Sequence, residues 1–321
     1  MIAKLAPHVI PYHNSWHMEC AGYRAGITKV LDPDLGWCVA HKETTGNRIL
    51  ARLSTLSLPL DKLSPYQIAE EHLRVIRNHP ASGAVDIWEF GNEPNTNCTP
   101  DELAHIALYE LLMLQGCNAY NLTGAWGSFG VGHPVGTANN PIPDWSVFAR
   151  CFAEAGDRHY LALHEYWPKM GPKNGWGWYA GRFTHVKQQC KIIITECGLN
   201  DELSYHDGKE RGWKVSVDSS IYRVHLQAYL TLIRQDPRVL SAHVFTLDYA
   251  SNVWDQFDVR GFGDYIGQIN GPSAVVPPVM PPVTPPVPDL QLTLLQIGDS
   301  LTSAQRAIQQ ASDLLGTISK G

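Results

Sequence analysis

Two glutamates in this chain stand where apolar runs give way to turns. Glu93 closes the run Val85 to Asn95, VDIWEFGNEPN, whose short apolar stretch ends in Gly91, Asn92, Glu93 and Pro94. Such a run reads as a buried strand whose carboxylate emerges where the strand stops and the loop begins. Glu196 belongs to a run of the same design, Lys191 to Asn200 (KIIITECGLN), in which four apolar or β-branched residues precede the carboxylate and a turn follows at Gly198. Two carboxyl groups facing each other suit displacement at an acetal carbon. One, protonated, releases the departing oxygen; the other, ionised, traps the carbon, and their surroundings must hold their pKa values apart.

Elements that position two such groups must first be affordable in composition. The chain has 321 residues, 44% hydrophobic and 17% charged, enough for one large core plus an appendage. The net charge of -6 carries no cluster of Lys and Arg, so no nucleic-acid or membrane-surface partner is expected. The opening MIAKLAPHVIPYHNSW lacks the apolar segment of a signal peptide, and no stretch approaches the roughly 18 apolar residues of a membrane span. A cytoplasmic location is the default expectation, with virion association or another export route as alternatives. The seven cysteines form no CxxC pair and read as reduced, with no zinc site. His13, His17 and His41 have no ligand spacing, and neither metal nor cofactor is expected.

Strand-like and helix-like segments alternate along the chain. Strands are predicted over His8–Tyr12, Ile27–Leu31, Arg48–Leu53, Val85–Gly91, Leu122–Trp126, Tyr160–Tyr166, Lys191–Thr195 and Leu240–Leu247. Helix starts are marked at Ser64-Pro65 with Gln67 and at Thr99-Pro100 with Glu102, each a capping box with proline at the first helical position. Further helices are expected near Trp16–Gly26, Asp144–Ala155, before Gln189, and over Val217–Gln235. Eight strands with interposed helices predict an α/β fold, a (β/α)8 TIM barrel over residues 1–271. In an eight-stranded ring the ends of the fourth and seventh strands lie across the mouth from each other. A doubly wound open sheet is disfavoured, since no GxGxxG follows the first strand.

The runs WEFGNEPN, HEYW of the sixth strand and ITECG of the seventh resemble the signatures of the clan A retaining glycoside hydrolases, barrels that include families 5 and 39. The resemblance spans about Ile2 to Gly271. It implies that Glu93 is the acid/base and Glu196 the nucleophile. It also implies that Asn92 bonds the sugar 2-hydroxyl, and that His164 and Tyr166 match a His-x-Tyr whose tyrosine steers the nucleophile. The clan often places a Trp at the end of strand eight. Here the sequence reads HVFTLDY, leaving Phe245 or Tyr249 for the subsite floor, and Trp254 with Phe257 resembles the clan's closing segment. From the residues alone, Arg52 is expected to pair with Glu89 or Glu196, and Glu89 to lie deeper in the barrel as a paired structural charge.

Trp167, Trp176, Trp178 and Tyr179 crowd the loop after strand six. They are expected to stack on sugar rings, to pack on one another, or to divide between the two. Residues 272–289 form a Pro-rich linker, extended and semi-rigid. Within 290–321, Leu294, Ile297, Leu301, Ala304, Ile308, Ala311, Leu315 and Ile318 recur at steps of three and four. That C-terminal helix is either a coiled-coil segment for homo-oligomerisation or a lone amphipathic helix folded back on the barrel. The expected activity is cleavage of a β-linked poly- or oligosaccharide by a retaining mechanism. The other readings are a cell-wall or capsule glycan hydrolase carried on a phage particle, a carbohydrate-binding barrel without catalysis, and a structural particle protein held by its tail.

Overall fold

In the computed structural model of the chain, the described residues are 2–10, 16–56, 58, 62–94, 99–134, 145–202, 210–248 and 254–271. The expected linker, the C-terminal helix and Tyr249 lie outside them. Eight parallel strands close into a barrel in sequence order. They are β1 (Lys4–Ile10), β2 (Ile27–Leu31), β3 (Arg48–Arg52), β4 (Ile87–Glu89), β5 (Gly124–Phe129), β6 (Tyr160–Trp167), β7 (Lys191–Leu199) and β8 (Val239–Asp248). β8 pairs with β1, from Lys4 against Ser241 to Ile10 against Asp248, which completes the ring.

Alternate residues of each strand point inward, and the interior is layered. Its lower layer is apolar, with Ile27, Leu50, Ile87, Ala125, Ala162 and Ile193 in one buried cluster. One step further along the same strands the inward residues are Lys29, Arg52, Glu89 and His164, so the interior changes from hydrocarbon to charge. Outward residues such as Val9, Val30, Ile49, Trp88 and Ile194 join the larger core beneath the helices.

Local sequence accounts for several helices. Pro65–Asn78 and Pro100–Ala119 begin with complete capping boxes, Ser64 with Gln67 and Thr99 with Glu102. The helix Leu35–Thr45 is one that hydrophobic periodicity does not announce. Its signals are the Asp34 side chain accepting from Trp37 N, and Gly46 at φ 68 as the left-handed stop. Between β6 and β7 the expected helix is replaced by a loop and a 3-10 turn, Arg182–His185. The reason is Arg182, which is drawn into the protein to bond the carbonyls of Phe129, Gly130, His133 and His164. No described helix is long and apolar enough to cross a membrane, and the six described cysteines are free.

β4 is shorter than expected because Val85 N bonds back to Ala81 O in a turn and Gly91 to Pro94 have left the ladder. Its exit is packed by Phe90, fully buried against β5. A Cβ on Gly124 would stand 2.1 Å from the Phe90 ring. Gly124→Ala is therefore expected to lower stability by about 1–3 kcal/mol. Gly83→Ala, where a Cβ meets nothing within 4 Å, should leave the urea midpoint within error of the parent; equal midpoints for the two variants would contradict this packing account.

Candidate active site

The charged layer opens into a cleft of about 480 Å³ at the C-terminal ends of the strands. Glu93 and Glu196 both line it, and a carboxylate oxygen of each lies within 4.8 Å of the other. Glu196 arrives directly from β7, with a side chain only 7% exposed. Glu93 arrives from the loop after β4, with a side chain 45% exposed. Its backbone sits in the left-handed region at φ 39 and its N–H donates to Ser128 O at 3.0 Å. Holding a non-glycine residue there costs about 1–3 kcal/mol, a strain typical of positions where a side chain must be aimed.

Four donors converge on Glu196. Lys29 Nζ lies 3.1 Å and Arg52 Nη1 2.9 Å from Oε1. The Tyr166 hydroxyl donates to Oε2 at 2.8 Å, and His164 Nδ1 lies 3.5 Å from the same oxygen. Burial alone would raise the carboxyl's pKa. His164, Lys29 and Arg52 outweigh it and hold Glu196 well below the usual carboxylate range, so it is ionised. Arg52 also donates to Asn92 Oδ1 at 2.5 Å, fixing that amide beside Glu93.

His164 is fully buried between three carboxylates. Nδ1 is 2.9 Å from Glu93 Oε1, and Nε2 is 3.3 Å from Glu89 Oε1. With acceptors at both ring nitrogens the imidazolium is the form that satisfies both contacts. Burial works against the charge, but Glu196, Glu89 and Glu93 prevail and the pKa stands above 6.5. Glu89 is paired below with Lys29 at 2.8 Å and accepts from Ser128 Oγ at 2.9 Å. Burial would raise it too, yet Lys29, Arg52 and His164 hold it well below the carboxylate range.

Glu93, His164 and Glu196 also offer ligand atoms close enough together for a metal ion. Lys29 and Arg52 already supply the positive charge that an ion would bring, so the cluster suits an ion-pair network better than a metal centre.

The aromatic residues divide. Trp178 and Tyr179 line the cleft, as do Trp254, Phe257 and Phe245. Trp254 stands edge-on to Phe245 with ring centroids 5.2 Å apart. Trp167 and Trp176 do not line it, a correction to the expectation that they meet substrate. Trp167 is fully buried and packs on Tyr229 at 4.8 Å, while Trp176 meets Phe183 and Tyr229. Both serve as the mini-core that holds the loop. Lys29, His133, Glu202 and Glu210 also belong to the site, and no motif marks them. For Lys29 a signal existed, since it shares the inward face with Ile27 and Leu31 two residues to either side.

No protein-family model matches the chain, and no curated protein matches it in sequence. Solved structures do match in fold. An endo-1,4-β-D-mannanase from Thermotoga petrophila is similar over 84% of this chain and 99% of its own, with a TM-score of 0.55 and 11% identity. A family 5 xyloglucan-specific endo-β-1,4-glucanase from a metagenomic library covers 81% and 88%, with a TM-score of 0.52 and 13% identity. A family 5 glycoside hydrolase from Prevotella bryantii covers 81% and 87%, at 0.51 and 10%. The shared feature is the eight-stranded barrel fold.

The electrostatics of His164 give a pH prediction. A raised pKa means that its contribution to stability is complete below the unfolded value near 6.5 and is lost as pH rises through the folded value. Ring NMR signals of His164 should titrate above 6.5, and Glu89→Gln should lower that midpoint; titration below 6.5 in the parent protein would contradict the imidazolium assignment.

Proposed function

We propose that this chain is a retaining glycoside hydrolase that cleaves β-linked poly- or oligosaccharides, with Glu93 as acid/base and Glu196 as nucleophile. The observation that carries the reading is the approach of the two carboxylates across the barrel mouth, to within 4.8 Å between oxygens. Retention uses carboxyl groups about 5–5.5 Å apart and inversion about 6.5–9.5 Å to admit a water, and a nearest-oxygen approach this short supports the closer spacing. The environments suit the roles. Glu196 is ionised by its cations and is ready to attack. Glu93 is the more exposed of the two, able to reach a departing oxygen and later a water.

In the first step Glu196 attacks the anomeric carbon as the glycosidic bond breaks, and Glu93 gives its proton to the leaving oxygen. In the second, Glu93 takes a proton from water, which attacks the same carbon and frees Glu196. Asn92, fixed by Arg52, is placed beside Glu93 to bond the sugar 2-hydroxyl. Tyr166 and His164 orient the nucleophile and the acid. Trp178, Tyr179, Phe245 and Trp254 provide flat apolar faces for sugar rings, with Phe245 as the floor in place of the expected tryptophan. The fold shared with the mannanase and the glucanase supports a β-linked glycan as substrate.

The test is reducing-end release from β-1,4- and β-1,3-glucans, mannans and xyloglucan. Glu196→Gln should abolish release. Glu93→Ala should lose about 10²–10⁴-fold on natural glycans, keep most of its kcat/KM on dinitrophenyl glycosides while kcat falls, and recover kcat with azide. Glycan binding without turnover, unchanged by Glu196→Gln, would instead identify a carbohydrate-binding barrel.

A further inference from the structure

Lys29 has no solvent to face. It lies on β2 and is completely buried, as is its partner Glu89. A buried ammonium is retained only where carboxylates repay its desolvation. One of the two that do so is Glu196 itself, and this makes the two oxygens of that carboxylate unequal. Oε1 lies between two fixed cations, Lys29 Nζ at 3.1 Å and Arg52 Nη1 at 2.9 Å. Oε2 receives the neutral Tyr166 hydroxyl at 2.8 Å and faces His164 more distantly, at 3.5 Å. Electron density on Oε1 is thus committed to cations, and Oε2 is the freer oxygen.

We propose that Lys29 is a positioning residue for Glu196: with Arg52 it pins Oε1 and so presents Oε2 to the anomeric carbon. This rests on the assignment of Glu196 as nucleophile. When Oε2 bonds to the anomeric carbon, the glycosidic bond breaks and its oxygen takes the proton of Glu93. Oε1 becomes the carbonyl oxygen of the ester. When water attacks that carbon and gives its proton to Glu93, the electron pair of the bond to Oε2 returns to Glu196. Negative charge then reappears on the carboxylate, and Lys29 and Arg52 already stand beside Oε1 to stabilise it. The gain falls mainly on the second step, in which the carboxylate is the leaving group. Glu89 holds the ammonium in register, itself anchored by Ser128 Oγ at 2.9 Å.

Several groups besides Lys29 face Glu196. They are His8 from β1, Arg52 from β3, Glu93 from the loop after β4, His164 and Tyr166 from β6, His243 from β8, and Glu210. Among the described cations only Lys29 and Arg52 touch Oε1, and of these the loss of Lys29 leaves Arg52.

Lys29→Met leaves Glu89 charged and unpaired, so the decisive variant is Lys29→Met with Glu89→Gln, which removes one charge of each sign. With its fold verified by circular dichroism, two measurements follow. Carboxyl-carbon NMR, with Glu196 assigned from Glu196→Gln, should show Glu196 titrating about one unit or more higher than in the parent. This arm needs no substrate, so its outcome stands apart from the hydrolase reading. On 2,4-dinitrophenyl β-cellobioside, whose leaving group makes the second step limiting, kcat should fall about tenfold or more while kcat/KM changes less. An unchanged Glu196 titration, or equal losses in kcat and kcat/KM, would overturn the proposal and leave Lys29 a structural counter-ion.

Discussion

The structure depends on a balance of buried charge. Glu89 and Glu196 lie almost out of reach of water in the barrel interior, where an unpaired carboxylate would not persist in its ionised form. Lys29, Arg52 and His164 provide the compensation, and the five residues come from β2, β3, β4, β6 and β7. No local segment contains a complete pair. Only closure of the ring assembles them, so the site and the fold form together. Removing one member of such a set costs about 3–5 kcal/mol, since its partner is left buried and charged.

Two glutamates of the same chemistry gain different characters from this arrangement. Glu196 stays within the charged layer and is fixed as an anion by its cations. Glu93 has left the strand and half emerges into the cleft, tied among the described residues to the interior through His164 and to β5 through its backbone. The loops around them are held from outside the barrel. Arg182 gathers the carbonyl ends of β5 and β6, while Glu165 accepts from the Gly181 and Arg182 N–H groups and from Tyr229. Burial draws the Arg182 guanidinium down to about 10 against the pull of Glu165, so the clamp remains charged at neutral pH.

Features set by neighbouring residues were legible in the sequence. The capping boxes at Ser64 and Thr99 and the span of β2 could be read from a few adjacent positions, whereas β7 runs on through Gly198 to Leu199, so Glu196 lies inside the strand and not at the expected end at Thr195. Features decided by distant packing were not. The inward register of Lys29 could be read from its spacing with Ile27 and Leu31, but its partner Glu89 could not, because that carboxylate comes from β4. The indoles of Trp167 and Trp178 are eleven positions apart in one aromatic stretch. Tyr229, from a helix more than fifty residues later, draws the first inward and leaves the second at the cleft. The missing helix before β7 has the same origin, since Arg182 serves carbonyls on other strands rather than a helical face.

Glu93 and Glu196 are proposed to act as a double-displacement pair. The most direct measurement is the anomeric configuration of the sugar first released from a β-linked glycan, followed by proton NMR before mutarotation. Double displacement gives the β-anomer as the initial product, with the α-anomer rising only later. An initial α-anomer would mean a single displacement by water and would contradict the role given to Glu196.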